Sequence, residues 1–573
     1  MTINNSPPSP PPSLSPAPGR SLPRWMKAVA LLLILLGIGF RCTNLDLKPF
    51  WEDEVYTMTR ASGYQLSTIE KQLNEKAVVV ADLERYRTPK SGQSWLETAR
   101  ALASASEHTP LYFLILRGWS QIVGHSTVAV RSLSVVFSIV GLGAFYGLGR
   151  SLFPLDKALG DAAGWGAATM ASLSPLLLRY SQETRSYSLW VICLCLSTGL
   201  LLRAWRSPSR KNWILYGGSM VLAFYTHLLT LFIMVAHAIA LIAQPLLKHR
   251  RIPAIWQRGP VKSWVLTTLA SLVAMGPWLA IVVLRQGSIK SRTNWLTNAR
   301  PFYQLMRRWG IEFSHTWLDF PHKTHDWWPA VTLILFIGVA IATVYLWRRG
   351  SQSSAQASEQ NQLQNQFQNQ DGIITLLSLT VVPALIIVLM DLVSGGQRSA
   401  VNRYFIPAYV GLVTLTGSAV TVALVGRVGQ SRPLGKTIGL WSATALLVIT
   451  SALSCGQLNR ATTWWNLSAF IPTFAEAIAA EPDTLVLSDR RLGQTLALAY
   501  NLPDNQPLLW TKRRRPDAPQ RSSLPIGDEA LIIFDPSEGL QEAIASQRGE
   551  PLPEEPSHVS GKLNLWLLKP VAR

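Results

Sequence analysis

Apolar stretches of about 17–25 residues recur along this chain, each long enough to cross a hydrocarbon core of about 30 Å as a helix. No other feature constrains the fold as strongly, because lipid-exposed backbone must satisfy its own N–H and C=O groups. Eleven stretches are read, near residues 26–44, 126–152, 159–178, 187–204, 212–227, 229–246, 263–284, 328–348, 372–392, 404–425 and 437–456. Only 15% of the 573 residues are charged, against about 25% in soluble proteins. The 22 tryptophans suit anchoring at headgroup depth. The expected fold class is an all-α polytopic membrane protein.

The net charge of +20 is spread between the apolar stretches and is not gathered on one domain. That pattern argues against nucleic acid and for the positive-inside bias together with anionic lipid or phosphate ligands. Arg203, Arg206, Arg210 and Lys211 fall in one set of alternate loops, as do Lys248, Arg250, Arg251, Arg258 and Lys262. Arg348, Arg349, Arg427, Arg432 and Lys436 join them, which puts the N-terminus on the cytoplasmic side of a plasma (inner) membrane.

Residues 1–25 are a Pro- and Ser-rich tail too poor in apolar side chains to fold. Residues 26–456 form the membrane domain, with a long first outer loop over 42–125 and a Gln/Asn-rich cytoplasmic linker over 359–370. Within that loop, 110–123 is apolar but short and interrupted by Arg117, as in a helix lying in the interface. Beyond 456, strand-like runs at 484–488, 531–534 and 563–568 alternate with helix-like segments at 473–480 and 538–547. That alternation predicts a small extracytoplasmic α/β domain over 457–573.

Chemistry-bearing residues gather in the outer loops. Trp51-Glu52-Asp53-Glu54 follows the first span almost immediately, where partial desolvation would make a carboxylate a better base than in open water. Arg179, Glu183 and Arg185 crowd one short outer connection, and Arg grips phosphate through a planar bidentate fork. Glu107 and His108 open the 110–123 segment, and His227 ends a span on the same side. Arg398, Arg403 and Tyr404 lie just outside the tenth span, against the positive-inside bias. No HExxH, Walker or GxSxG motif is present.

Taken in this order and on one side of the membrane, four segments resemble the GT-C integral membrane glycosyltransferases. They are Trp51-x-Asp53-Glu54, Glu107 to Phe113, Tyr180 to Tyr187, and Arg403-Tyr404-Phe405-x-Pro407. The branch is similar to protein O-mannosyltransferases and the lipid A aminoarabinose transferase, and the resemblance covers about residues 26–425. It implies a GT-C-like bundle in which Asp53 activates the acceptor, Glu54 is its partner and Glu183 the second acidic position. It further implies that Arg403 lies near the donor phosphate. Glu107 and His108 occupy the place of an acidic-basic pair before Pro-Pro in many relatives, with His and Thr here replacing the basic residue and first Pro.

The activity so implied is transfer of a sugar from a polyprenyl-phosphate donor to a lipid, glycan or protein acceptor, with inversion. Arg185, Arg398 and Arg403 would stabilise the leaving phosphate. Relatives differ in metal dependence, so a divalent ion between the carboxylates stays open and no cofactor is assigned. The competing class is a transporter or flippase of lipid-linked glycans, for which Asp391, near a span end, is the main ionisable candidate.

Overall fold

The computed structural model describes residues 21–89, 94–249, 259–319, 328–354, 359–426, 434–464, 468–513 and 523–571. The N-terminal tail expected over 1–25 therefore lies almost wholly outside the described residues. Along the chain run α1 (Arg24–Cys42), α2 (Glu52–Ala61), α3 (Leu66–Leu73), α4 (Trp95–Ser104), α5 (Leu111–Val123) and α6 (Thr127–Arg150). Then come α7 (Lys157–Ser172), α8 (Pro175–Ser181), α9 (Tyr187–Arg206), α10 (Arg210–Thr226), α11 (Thr230–His249) and α12 (Gly259–Leu284). The later helices are α13 (Gln286–Thr293), α14 (Phe302–Ser314), α15 (Trp328–Ser354), α16 (Glu359–Ser394), α17 (Ile406–Val425) and α18 (Leu434–Arg460).

Each of the eleven expected spans falls on helix, the one at 159–178 divided between α7 and α8, and among the described residues eight helices are long and apolar enough to cross a membrane. The 16 residues of α7 and 17 of α10 reach only about 24–26 Å at 1.5 Å per residue. The linker expected at 359–370 is instead the first three turns of α16. Gln and Asn continue a helix well enough when the apolar stretch that follows has already nucleated it.

The bundle alternates direction, as its end-to-end hydrogen bonds show. At one end Gln182 donates to Phe40 O at 2.8 Å, and Asn459 to the same carbonyl at 2.7 Å. At the other, Arg206 donates to Ser151 O at 2.6 Å. Buried Arg41 is satisfied by donating to Ser172 O at 2.5 Å, Ala171 O at 2.9 Å and Gly37 O at 2.8 Å. It thereby occupies carbonyls at the C-terminus of α7, where partial negative charge accumulates. Close backbone approach holds the centre together: a Cβ on Gly417 of α17 would meet Gly166 C of α7 at 2.7 Å. Small residues permit such contact between membrane helices.

A six-stranded sheet caps the end of the bundle that carries the first outer loop. Its strands are β1 (Lys76–Val79), β2 (Leu485–Ser488), β3 (Pro507–Trp510), β4 (Leu531–Phe534), β5 (His558–Ser560) and β6 (Leu563–Leu568). The order is β1-β3-β2-β4-β6-β5, with β2 parallel to β3 and β4 and the other pairs antiparallel. Helices α19 (Phe470–Ala479), α20 (Leu492–Ala499) and α21 (Glu538–Arg548) alternate with these strands. Side-chain alternation sends Leu487, Leu509 and Ile533 to the face covered by α21, and Val486, Leu508 and Ile532 to the opposite face. Strand β1 comes from the first outer loop, so the sheet is not confined to 457–573. The loop and the tail share one apolar core that includes Val55, Met58, Leu73, Phe474 and Leu496.

Candidate active site

Helix α2 begins directly after Trp51 and carries Glu52, Asp53 and Glu54 in its first turn, where the helix dipole favours negative charge. Successive residues point about 100° apart around a helix, so the three carboxylates enter three environments. Glu54 faces inward and is fully buried. Arg131 of α6 grips it through Nε at 2.9 Å and Nη2 at 2.6 Å, and the Thr184 N–H donates to it at 2.8 Å. Arg131 also donates to Leu45 O at 2.5 Å, Lys48 O at 2.9 Å and Pro49 O at 3.0 Å. This bidentate pair ties three segments together and leaves neither partner open to a ligand.

Asp53 faces the other way. Its Oδ2 lies 3.4 Å from Arg403 Nη1 and 3.9 Å from Arg185 Nη2, and accepts no hydrogen bond. Arg185 is oriented by donating through Nη1 to Thr57 Oγ1 at 2.8 Å and to Asp53 O at 3.1 Å, and through Nη2 to Tyr187 OH at 3.2 Å. Its Nε is buried without a partner. Arg403, on a 3₁₀ turn ahead of α17, lies beside the Tyr404 ring at 5.8 Å.

The sequence expectation of a desolvated, more basic Asp53 needs correcting. Burial does raise the proton affinity of this carboxyl, but Arg403, Arg185, Arg60 and Arg179 outweigh it and hold Asp53 below the usual carboxylate range. Arg60 is a site residue the sequence reading missed. A signal was available, since seven residues, close to two helical turns, separate it from Asp53 on the same face of α2.

Glu183 sits behind Asp53 in the turn between α8 and α9, its Oε1 accepting from Arg179 Nε at 3.0 Å. Burial pushes its carboxyl upward, Arg179 pulls it down, and Glu54 and Asp53 raise it again, for a net increase. The two acidic loops therefore converge within electrostatic reach. His108 joins them: burial, then Arg60, Arg185, His227 and Arg403, hold its imidazole neutral, well below the ordinary histidine value. His227 itself lies flat on Trp190 at 4.1 Å between ring centroids. Glu107 accepts from Arg292 of α13 at 3.0 and 3.1 Å and lies 4.0 Å from His108 Nε2.

Arg398 stands apart from Asp53. Its guanidinium pairs with Asp391 at 3.2 Å, while the N–H groups of Arg398 and Ser399 donate to the same carboxylate at 2.9 and 2.5 Å. Asp391 is thus a buried cap for the 3₁₀ turn Arg398–Ala400, which directly precedes the Asn402–Phe405 turn that carries Arg403. A separate groove of about 240 Å³ between α1, α7, α17 and α18 is lined by Met26, Trp165, Leu424 and other side chains, none of them titratable.

A divalent ion does not fit beside Asp53, because two guanidinium groups already stand within 4 Å of its oxygen. Glu54 and Glu183 are engaged by Arg131 and Arg179. Among the described residues, no group of three or more His, Cys, Asp or Glu side chains is arranged to hold a metal ion. The arrangement suits an anion: several guanidinium groups gather around one loosely held carboxylate.

Residues 107–281 match the family model of dolichyl-phosphate-mannose-protein mannosyltransferases. Across that segment the chain is similar to GT-C glycosyltransferases, the likeness its motifs implied. Among solved structures, ArnT from Cupriavidus metallidurans bound to undecaprenyl phosphate aligns with a TM-score of 0.49 at 13% identity, over 94% of this chain and 98% of that one. An oligosaccharyltransferase from Archaeoglobus fulgidus tethered to an acceptor peptide aligns with a TM-score of 0.45 at 11% identity, over 84% of this chain and 64% of that one. No curated protein matches the chain.

Proposed function

We propose that this chain is a membrane glycosyltransferase that moves a sugar from a polyprenyl-phosphate-linked donor to an acceptor hydroxyl or amine, at the face of the membrane that carries Asp53. One observation carries the reading: the Asp53 carboxylate lies 3.4 and 3.9 Å from two guanidinium groups without a hydrogen bond to either. Such looseness leaves room for an anion on the arginines and for a proton donor on the carboxylate. The mannosyltransferase likeness of residues 107–281 supports the same chemistry.

In this reading the donor phosphate seats on Arg403 and Arg185, whose charge favours the anion that forms when the sugar departs. Asp53 Oδ2 accepts the acceptor's proton as the acceptor oxygen or nitrogen forms the new bond to the anomeric carbon. The anomeric carbon–oxygen bond to phosphate breaks, and its electron pair stays on the polyprenyl phosphate. A single displacement inverts the anomeric centre, by analogy with inverting glycosidases.

The depressed proton affinity of Asp53 then has a use. With the site empty, arginines keep the carboxylate ionised. An arriving phosphate cancels part of their charge, so Asp53 becomes a stronger base only when donor is bound. Glu183 orients Arg179 and the Arg185 turn, neutral His108 offers the acceptor a hydrogen bond without adding charge, and Tyr404 flanks Arg403. Glu54 holds α2 against Arg131. The transporter reading loses its candidate, since Asp391 is consumed as a cap.

Vesicles holding the purified protein, given radiolabelled polyprenyl-phospho-sugars and membrane acceptors, test the reading. Transfer of label to acceptor supports it, provided Asp53→Asn abolishes the product while the protein still inserts. Accumulation of label inside the vesicles without a new product would replace it with transport.

A further inference from the structure

The tail beyond the last span sits directly against the helix that carries Asp53. Gly493, in the first turn of α20, packs on the ring of Tyr56 in α2: a Cβ there would meet Tyr56 Cε1 at 2.6 Å and Cζ closer still. Tyr56 is not free to swing aside. Its hydroxyl donates to Glu52 Oε1 at 3.2 Å, and Arg60 lies over its ring at 5.3 Å while donating to its carbonyl at 3.3 Å. Glu52 in turn lies within the fields of Arg491 and Gln494 of the tail.

The contact belongs to a larger continuity. Val55 and Met58 of α2 share a core with Leu492 and Leu496 of α20. Strand β1 pairs in register with β3, Lys76 opposite Trp510 and Val79 opposite Pro507, so loop and tail share one sheet. Lys512 extends this by donating to Glu70 at 2.9 Å and to Asn74 Oδ1 at 2.8 Å. Helix α2 is thereby clamped between Arg131 on the bundle side and α20 on the tail side.

We infer that Gly493 is a positioning residue for sugar transfer: the absence of a side chain there lets α20 seat on Tyr56 and fix Asp53 and Arg60 relative to Arg403. This deepens the proposed function and rests on Asp53 being the group that takes the acceptor proton. The Asp53–Arg403 distance spans two elements far apart in sequence, so it is set by what presses on α2 from each side. A wedge at Gly493 tilts α2 without touching Arg403, which is anchored by its own turn. Misplacement of a reacting group by about 1 Å costs on the order of 100-fold in rate.

The experiment is a double-mutant cycle on the full chain in nanodiscs. Gly493→Leu is expected to lower kcat about 100-fold and to raise the donor KM as well, because Arg185 is held by Thr57 and the Asp53 carbonyl of the helix that tilts. In a Tyr56→Ala background the ring is gone, and Gly493→Leu should then cost about 3-fold or less, a coupling that a contact between the two predicts. Equal losses in both backgrounds would overturn the inference. Amide exchange over Glu52–Ala61 gives a readout independent of turnover: faster in Gly493→Leu and restored in the double variant. If the parent protein transfers no sugar but the exchange pattern holds, the functional reading fails and the buttress stands. An unchanged pattern in Gly493→Leu removes the buttress whatever the activity.

Discussion

One face of α2 presents Glu54 to a bidentate arginine, two backbone N–H groups and no solvent. The adjacent face presents Asp53 to two arginines that stop short of hydrogen-bonding it, with 21% of its side chain exposed. Two acidic residues one position apart thus stand in opposite environments. A carboxylate whose lone pairs are all filled is a structural joint, and one held in a field of cations with vacant lone pairs is poised to meet a ligand. Acidic side chains in a motif are interchangeable on paper. Their partners, supplied from Arg131 on one side and Arg185 and Arg403 on the other, separate them.

The sharpest way to break this contrast is to neutralise each member. Asp53→Asn should lower turnover by about 10²–10⁴-fold, the usual worth of a general base, with the melting temperature in detergent almost unchanged. Arg131→Leu should do the reverse in kind: leaving Glu54 charged and buried costs about 3–5 kcal/mol, read as a lower melting temperature and poor membrane yield. A Glu54→Leu/Arg131→Leu double variant should recover most of that stability, because an apolar pair removes the stranded charge. Recovery of stability after Asp53→Leu/Arg403→Leu, with none after the Glu54 pair, would invert the assignment.

Arg403→Ala follows, with an expected loss of about 10²–10³-fold in kcat/KM, and Arg403→Lys restoring charge but not the fork. The pH dependence is a smaller effect with a defined sign. Asp53 lies below its ordinary value when the site is empty. The acid limb of kcat/KM, which reports the free enzyme, should therefore lie below the ordinary carboxylate range. Bound donor phosphate offsets the arginines, so the limb of kcat should lie higher. The same shift contributes stability that is present above the unfolded value and lost as pH falls through the folded one. At the bottom of the scale, Lys27→Ala removes a half-exposed pair with Asp161 at the far end of the bundle and should cost about 0–1 kcal/mol with transfer unaffected.

The membrane helices are legible because hydropathy is a local property: it predicts 26–44 where Arg24–Cys42 is found, and 404–425 where Ile406–Val425 is found. Convergence of Asp53, Glu183 and Arg403 followed from counting spans, which assigns loops to ends without any contact being known. What the sequence did not reveal depends on partners remote along the chain. Glu54 could not be told from Asp53 without Arg131, which lies 77 positions away. The sign of the Asp53 shift turns on four guanidinium groups drawn from three segments. Strand β1 has only four residues and exists because β3 offers it an edge. The Gln/Asn-rich run at the start of α16 misleads because its composition is that of linkers, while its conformation is set by the apolar stretch of the same helix that follows it.

The central claim is that a lipid phosphate binds between Arg185 and Arg403, beside Asp53. Cryo-electron microscopy of the protein in nanodiscs with polyprenyl phosphate tests it most directly. The account expects phosphate density within hydrogen-bonding distance of both guanidinium groups, lost in Arg403→Ala. Phosphate density at Arg398 or elsewhere, with the Asp53 cleft empty, would contradict it.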